Sequence, residues 1–212
     1  CKATRPFQGL SIDFSFSGVI SKDKTRRDDV QGLNGETSWI VVQDVFSKII
    51  HADTRLNKAA PTTWLDRLLE QYKPVGLKKR YVLMDQGGEV YGSDAIKEIL
   101  QKHDCEILPT GADASYQNPC ERTHQTLADA VRAFLIGANL PIKFWPYAFH
   151  HSVRLLNTLP GQDQTESPIS IVTGRQDDLT GLKTFGCRVW VKPPTRRRAK
   201  FRSNARKEIF LG

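Results

Sequence analysis

Three acids in this chain sit where a carboxylate can do more than face water. Asp13 lies inside Leu10-Ser11-Ile12-Asp13-Phe14-Ser15-Phe16, an alternating run that reads as a strand. Asp85 ends the apolar, β-favouring run Tyr81-Val82-Leu83-Met84 and is followed at once by Gln86-Gly87-Gly88, a turn signal. Glu121 comes just after Asn118 and Pro119, a good N-cap and a good first helical residue. Apolar positions Leu127, Val131, Phe134 and Leu135 then follow at helical spacing. Thirty-five residues separate Asp85 from Glu121. Two acids on strands and one in the first turn of a helix are the parts needed to hold a pair of divalent ions. Such hard oxygen ligands suit Mg²⁺ or Mn²⁺, and two ions together activate an oxygen nucleophile, neutralise a phosphoryl group and stabilise the leaving oxygen.

Each acid also has an ordinary role open to it. Asp13 fits an exposed edge strand, although its apolar neighbours Ile12 and Phe14 imply burial, where a carboxylate needs a partner or a metal. Asp85 fits a turn. Glu121 fits a capping box with Asn118, in which the glutamate returns to the cap's amide. Glu89 and Asp94 are rival ligands near Asp85 and read as turn and helix-start acids. Cys120 and His124, four apart, allow a thiol–imidazole pair; they read instead as a packed cysteine and a DNA-facing histidine.

The ordered set Asp13, Asp85 and Glu121 resembles the catalytic triad of retroviral and retrotransposon integrases, and the match is closest to the copia type. Asp44-Val45-Phe46-Ser47-Lys48 is similar to that family's Asp-x-x-Ser-Arg segment. Gln117-Asn118 through Glu121-Arg122 is similar to its Gln-Asn-Gly-x-x-Glu-Arg box. Leu140-Pro141-x-x-Phe144-Trp145, Asn157-x-x-Pro160, Leu182 to Cys187 and Phe210-Leu211-Gly212 are similar to its downstream segments, so the resemblance runs along nearly the whole chain. Two positions depart from the pattern: Pro119 stands where the family has Gly, and Gln86 where it has Asn. The resemblance implies an RNase H-like core and a polynucleotidyl transferase that processes DNA 3′ ends and joins them to a target, with two Mg²⁺ or Mn²⁺ ions on the three acids. It also implies DNA partners at element ends and target, a homo-oligomer, a polyprotein origin and action in the nucleus, with replication intermediates in the cytoplasm. Other readings are a catalytically silent nucleic-acid-binding module from a decayed or host-adopted element, or an RNase H-like nuclease that only hydrolyses.

The net charge is +8, from 31 basic and 23 acidic side chains. Residues 192 to 207 hold eight bases (Lys192, Arg196, Arg197, Arg198, Lys200, Arg202, Arg206 and Lys207) and no acid, and removing them leaves 23 against 23. All of the excess is therefore in one short stretch, which argues for a polyanion such as DNA, or else for a solvated linker or import signal. Gln86, Asn118, Arg122, Gln125 and Arg132 are further candidate DNA contacts around the acids. Cys1, Cys105, Cys120 and Cys187 show neither zinc-ligand spacing nor a disulfide framework. No apolar run reaches membrane-spanning length. The chain starts at Cys1 and its one methionine is Met84, so a piece of a longer polyprotein is expected; the family carries a His/Cys zinc module upstream, for which Cys1 would be the last ligand.

Strands are expected over 8–17 and, as a hairpin, over 38–54, with a charged, solvated loop between them. Helical spacing is expected over Ala60–Tyr72, Ser93–Lys102, from the Asn118 cap to Ile136, over Phe144–Asn157 and briefly within Thr165–Gly174; further strands at Glu106–Leu108 and Phe185–Val191. This order predicts an α/β fold with a mixed five-stranded sheet flanked by helices. The expected division is 1–7 as the remnant of an upstream linker or zinc module, 8–160 as the catalytic core, and 161–212 as a small C-terminal extension with the basic segment.

Overall fold

Leu10, Ile12 and Phe14 alternate with Ser11, Asp13 and Ser15 along β1 (Gly9–Phe16), so one strand presents an apolar row to one side and a polar row to the other. The computed structural model describes residues 3–20, 27–28, 30–57, 59–74, 76–77, 79–85, 92–110, 119–162, 164–192 and 205–212. Gln86, Asn118, Arg196, Arg197, Arg198, Lys200 and Arg202 lie outside them. After β1 come β2 (Val19–Ile20), β3 (Arg27–Asp28), β4 (Ser38–Asp44), β5 (Ile50–Arg55), α1 (Thr62–Gln71), β6 (Arg80–Asp85), α2 (Asp94–Lys102) and β7 (Cys105–Thr110). The rest of the chain holds α3 (Pro119–Ala138), α4 (Trp145–Thr158), α5 (Pro168–Thr173), β8 (Arg188–Val191) and β9 (Arg206–Ile209). The main sheet has five strands in the order β5-β4-β1-β6-β7, antiparallel from β5 to β1 and parallel from β1 to β7. That is the mixed sheet the sequence predicted.

The apolar row is covered by α1 and α2. Leu10, Ile12, Ile40, Val42, Val82 and Met84 pack against Leu65, Leu69, Ile96 and Leu100, all at most 2% exposed. Each such side chain contributes roughly 1.5–3 kcal/mol on burial. Arg80 opens β6 beneath this layer, 4% exposed, and donates to the carbonyls of Leu69 and His103 at 3.2 Å each. These carbonyls end α1 and α2, where the helix dipoles favour a cation, so one guanidinium ties both helices to the strand that carries Asp85. The opposite face is covered by α3 and α4 through an aromatic cluster of Trp39, Trp145, Phe149 and Phe185.

Several motif residues turn out to be fasteners. The buried Asp44 carboxylate accepts from the Phe7 amide at 2.8 Å and from the Ser47 amide and hydroxyl at 2.7 and 2.6 Å, which closes the β4–β5 turn and anchors the N-terminal segment. Lys48 completes that turn at φ 66°. Asn157 grips β5 with both side-chain atoms, accepting from the Ile50 amide and donating to its carbonyl at 2.8 Å each. Gly186, at φ 76°, lies so close to Ala138 that a Cβ would strike it; its amide bonds the Phe210 carbonyl and brings the chain end against α3. The segment from Gly18 to Glu36 is only partly the solvated loop expected. It forms the β2–β3 pair, Val30 accepts a hydrogen bond from Trp145 Nε1 at 3.1 Å, and Glu36 is buried with its carboxylate on Asn34.

Candidate catalytic site

The parallel register pairs Gly9 with Tyr81, Leu10 with Val82 and Ser11 with Leu83. Two residues further along, Asp13 and Asp85 fall at the same level of neighbouring strands and, by the period of two, on the same face. Both are half-buried. Asp13 Oδ1 accepts from the Phe14 amide at 2.8 Å, which fixes the carboxylate plane and turns Oδ2 toward α3.

The first turns of α3 are pinned across the same strands. Cys120, fully buried, donates its thiol to the Ser11 carbonyl at 3.1 Å, and Thr123 donates to Gln43 Oε1 at 2.9 Å. Glu121, between these two anchors, is half-buried. Burial pushes the Cys120 thiol up to about 12, with Asp13 adding to the effect, so it stays a neutral packing group. The sequence's alternative of a thiol–imidazole pair therefore falls away.

His124 is buried, which corrects the expectation that it faces DNA. Its Nδ1 accepts from Trp39 Nε1 at 2.9 Å. An indole N–H only donates, so the proton of the neutral imidazole lies on Nε2. That atom has no hydrogen-bond partner among the described residues and stands 3.5 Å from Asp13 Oδ2. His124 is one turn on from Glu121 on the same helix, so the helix that carries the third acid touches the first through this ring. Trp39 was missed as a site residue. Its only sequence signal is an aromatic on the strand that pairs with β1, opposite Ser15.

Asp13 and Asp85 thus share one face, Glu121 lies in the helix turn fastened over that face, and all three offer hard oxygens of the kind a divalent ion takes. Among the described residues, no three His, Cys, Asp or Glu side chains are gathered closely enough to hold a metal ion. The donors fit such an ion in chemistry, but the described residues do not gather them into a ligand set. Rival Asp94 is an exposed first-turn residue of α2, paired with Lys97 at 3.5 Å; Glu89 lies outside the described residues.

The expected DNA contacts separate into groups. Arg122 is exposed and lines a cleft of about 480 Å³ with Gln43, Lys48, Thr126 and Gln164, beside the start of α3. Gln125 is exposed on the same helix. Arg132, two turns further on, pairs with Asp129 in an exposed i, i+3 ion pair, which reduces its free charge. Lys192 is exposed just beyond β8.

Over 142 residues, 66% of this chain and 11% of the relative, the sequence is 30% identical to the Retrovirus-related Pol polyprotein from transposon TNT 1-94 of Nicotiana tabacum. It is 31% identical over 132 residues, 60% of this chain and 9% of the relative, to the Retrovirus-related Pol polyprotein from transposon RE1 of Arabidopsis thaliana. The chain thus spans only 9–11% of the length of these curated relatives. No family model matches it. Among solved structures, a chain of the simian T-cell lymphotropic virus intasome in complex with PP2A regulatory subunit B56 gamma superposes with a TM-score of 0.57 at 14% identity, covering 99% of this chain and 69% of that one. The HTLV-2 integrase catalytic core domain in complex with magnesium, in trimeric form, gives 0.51 at 15% identity, covering 80% of this chain and 99% of that one. At such identities these likenesses establish the fold.

Proposed function

We propose that this chain, an integrase core region of the copia type by its sequence relatives and its fold, catalyses metal-dependent processing of DNA 3′ ends and their transfer into a target strand. One observation carries the reading. Asp13 and Asp85 share a face of adjacent parallel strands, and the turn of α3 that bears Glu121 is fastened over that face by Cys120 and Thr123. Asp13, Asp85 and Glu121 would hold two Mg²⁺ or Mn²⁺ ions, in keeping with the magnesium of the HTLV-2 core. When bound, such ions neutralise charge on the phosphoryl group and stabilise the attacking and leaving oxygens.

The chain's own residues set the conditions. Asp13 gives one oxygen to the Phe14 amide and keeps the other for a ligand, with the His124 Nε2–H alongside. The sealed Cys120 thiol offers no competing soft ligand. Arg122, Gln125 and Lys192, with Gln86, Asn118, Arg132 and the basic side chains from Arg196 to Arg202, are proposed to hold DNA phosphates. Residues 8–160 would act as the catalytic core, with 1–7 and 161–212 as its flanks, in a homo-oligomer working in the nucleus.

Glu121→Gln is the decisive variant. Gln also serves in a capping box, so stability should stay within roughly 1 kcal/mol of wild type. Cutting and joining of a short duplex carrying the element's end, with Mg²⁺, should fall to background while metal-free DNA binding persists. In parallel, calorimetry should show weaker Mg²⁺ binding by Asp85→Asn. A variant that joins DNA as well as wild type would remove Glu121 from the chemistry. Cutting without joining would make the protein a nuclease, and wild type inert even with its upstream module would make it a binding module.

A further inference from the structure

Of the four tryptophans, three are used by the core: Trp39 and Trp145 are 8% and 4% exposed, and Trp64 packs on the α1 layer. Trp190, in the middle of β8, is 66% exposed. The register of the β8–β9 hairpin places Arg188 opposite Ile209 and Trp190 opposite Lys207. By strand alternation these four side chains share one face, while Val189, Val191, Arg206 and Glu208 take the other. The one acid of the two strands is therefore turned away from the indole, and two cations stand beside it. Neither Arg188 nor Lys207, nor Lys192 just past β8, has an ion-pair partner among the described residues. The hairpin is also the stem of the stretch that carries the whole excess charge, since Arg196, Arg197, Arg198, Lys200 and Arg202 lie between its two strands in sequence.

We propose that this face is a stacking platform for an unpaired DNA base: the Trp190 indole takes the base, and Arg188, Lys207 and Lys192 take the flanking phosphates. An exposed ring ringed by uncompensated cations fits a polyanion that also offers a flat apolar surface. An unpaired nucleotide offers both, whereas a blunt duplex hides its base faces in the stack and presents phosphates alone. An apolar protein partner would leave the cations without counter-charge. The subsite shares the Lys192 phosphate contact with the function proposed above but asks nothing of the acids, so metal-free binding tests it apart from catalysis.

Metal-free binding by the whole chain tests it, with the protein in chelator and labelled oligo-dT or a blunt duplex of equal length as probes, read by fluorescence anisotropy over a salt series. Because Trp190 is exposed, Trp190→Ala should keep the wild-type melting temperature. It should weaken oligo-dT binding roughly tenfold or more, the range for loss of one stacked base. Its salt slope should not change, duplex affinity should hold within about twofold, and Trp190→Phe should restore most of the single-strand affinity. Arg188→Gln should instead flatten the single-strand salt slope by about 0.7, the value of one phosphate contact. Equal loss on both probes, no loss on either, or no binding by wild type would overturn the platform. So would a drop in sedimenting mass on Trp190→Ala, which would make the face a contact between copies of this chain.

Discussion

The two faces of the central sheet are made by the same strands and obey different rules. On the α1–α2 side, β1 and β6 contribute Leu10, Ile12, Val82 and Met84, closed to water. On the α3–α4 side, the alternate positions of those strands are Ser11, Asp13, Leu83 and Asp85, and the two acids remain half-open. The first face is held chiefly by apolar packing, and the second adds to its aromatic cluster directed bonds from Cys120 and Thr123 and the Trp39–His124 hydrogen bond. A carboxylate is affordable on β1 because its other face is so fully packed.

A pair of neighbouring substitutions breaks this comparison open. Ile12→Ala on the packed face should cost about 2–5 kcal/mol, the usual range for emptying a buried aliphatic site. Asp13→Asn, one residue on, keeps an acceptor for the Phe14 amide and should cost less than about 1 kcal/mol while abolishing strand transfer. Denaturant unfolding beside a joining assay checks both. Equal stability losses would mean that the α3 face is structural as well.

The difference between the faces also decides what was legible in the sequence. Apolar periodicity is local, so α1 was expected over Ala60–Tyr72 and occupies Thr62–Gln71, and α2 was expected over Ser93–Lys102 and occupies Asp94–Lys102. The strand of Asp85 and the helix of Glu121 were placed for the same reason, since each acid ends or begins an apolar pattern. The contacts among site residues were hidden because they cross the chain. Trp39 meets His124 across 85 positions, and Val30 meets Trp145 across 115. Those distances explain why His124 was read as facing DNA and why the segment after β1 was read as wholly solvated. Arg80 was unremarked for a like reason: its partners are carbonyls, which leave no signature in side-chain pattern.

One polar guest on the packed face sharpens the contrast through pH. His51 pairs with Val42 across the β4–β5 ladder and so points to the α1 side, against Phe7 and Tyr72, with Nε2 sealed and without a partner among the described residues. Burial pushes its imidazole down from 6.5 to about 4. The unfolded chain takes up this proton near pH 6.5 and the folded chain only near 4, so the stability from keeping the ring neutral is complete above 6.5 and lost as pH falls toward 4. Wild type should lose on the order of 2–3 kcal/mol relative to His51→Phe between pH 7 and pH 4. Parallel denaturation curves for the two proteins over that window would remove His51 from the account.

A small effect on stability is expected at Trp39, on the site face, and it separates packing from direction. Trp39→Phe keeps an aromatic ring against Trp145 and Phe149, whose centroids lie 5.5 Å away, but removes the N–H that His124 Nδ1 accepts. The cost should be about 1 kcal/mol, the net value of one hydrogen bond, well below that of Ile12→Ala. The imidazole would then be free to carry its proton on either nitrogen, and the donor beside Asp13 Oδ2 would no longer be assured. Ring-nitrogen chemical shifts of metal-free protein should show a bare Nδ1 and a protonated Nε2 in wild type, and a mixture in the variant. Joining activity should then fall by a larger factor than the stability change implies, because the donor facing Asp13 is no longer fixed on Nε2 while the fold is kept. Unchanged shifts would show that Trp39 only packs, and the directed bonds of the α3 face would then come from Cys120 and Thr123.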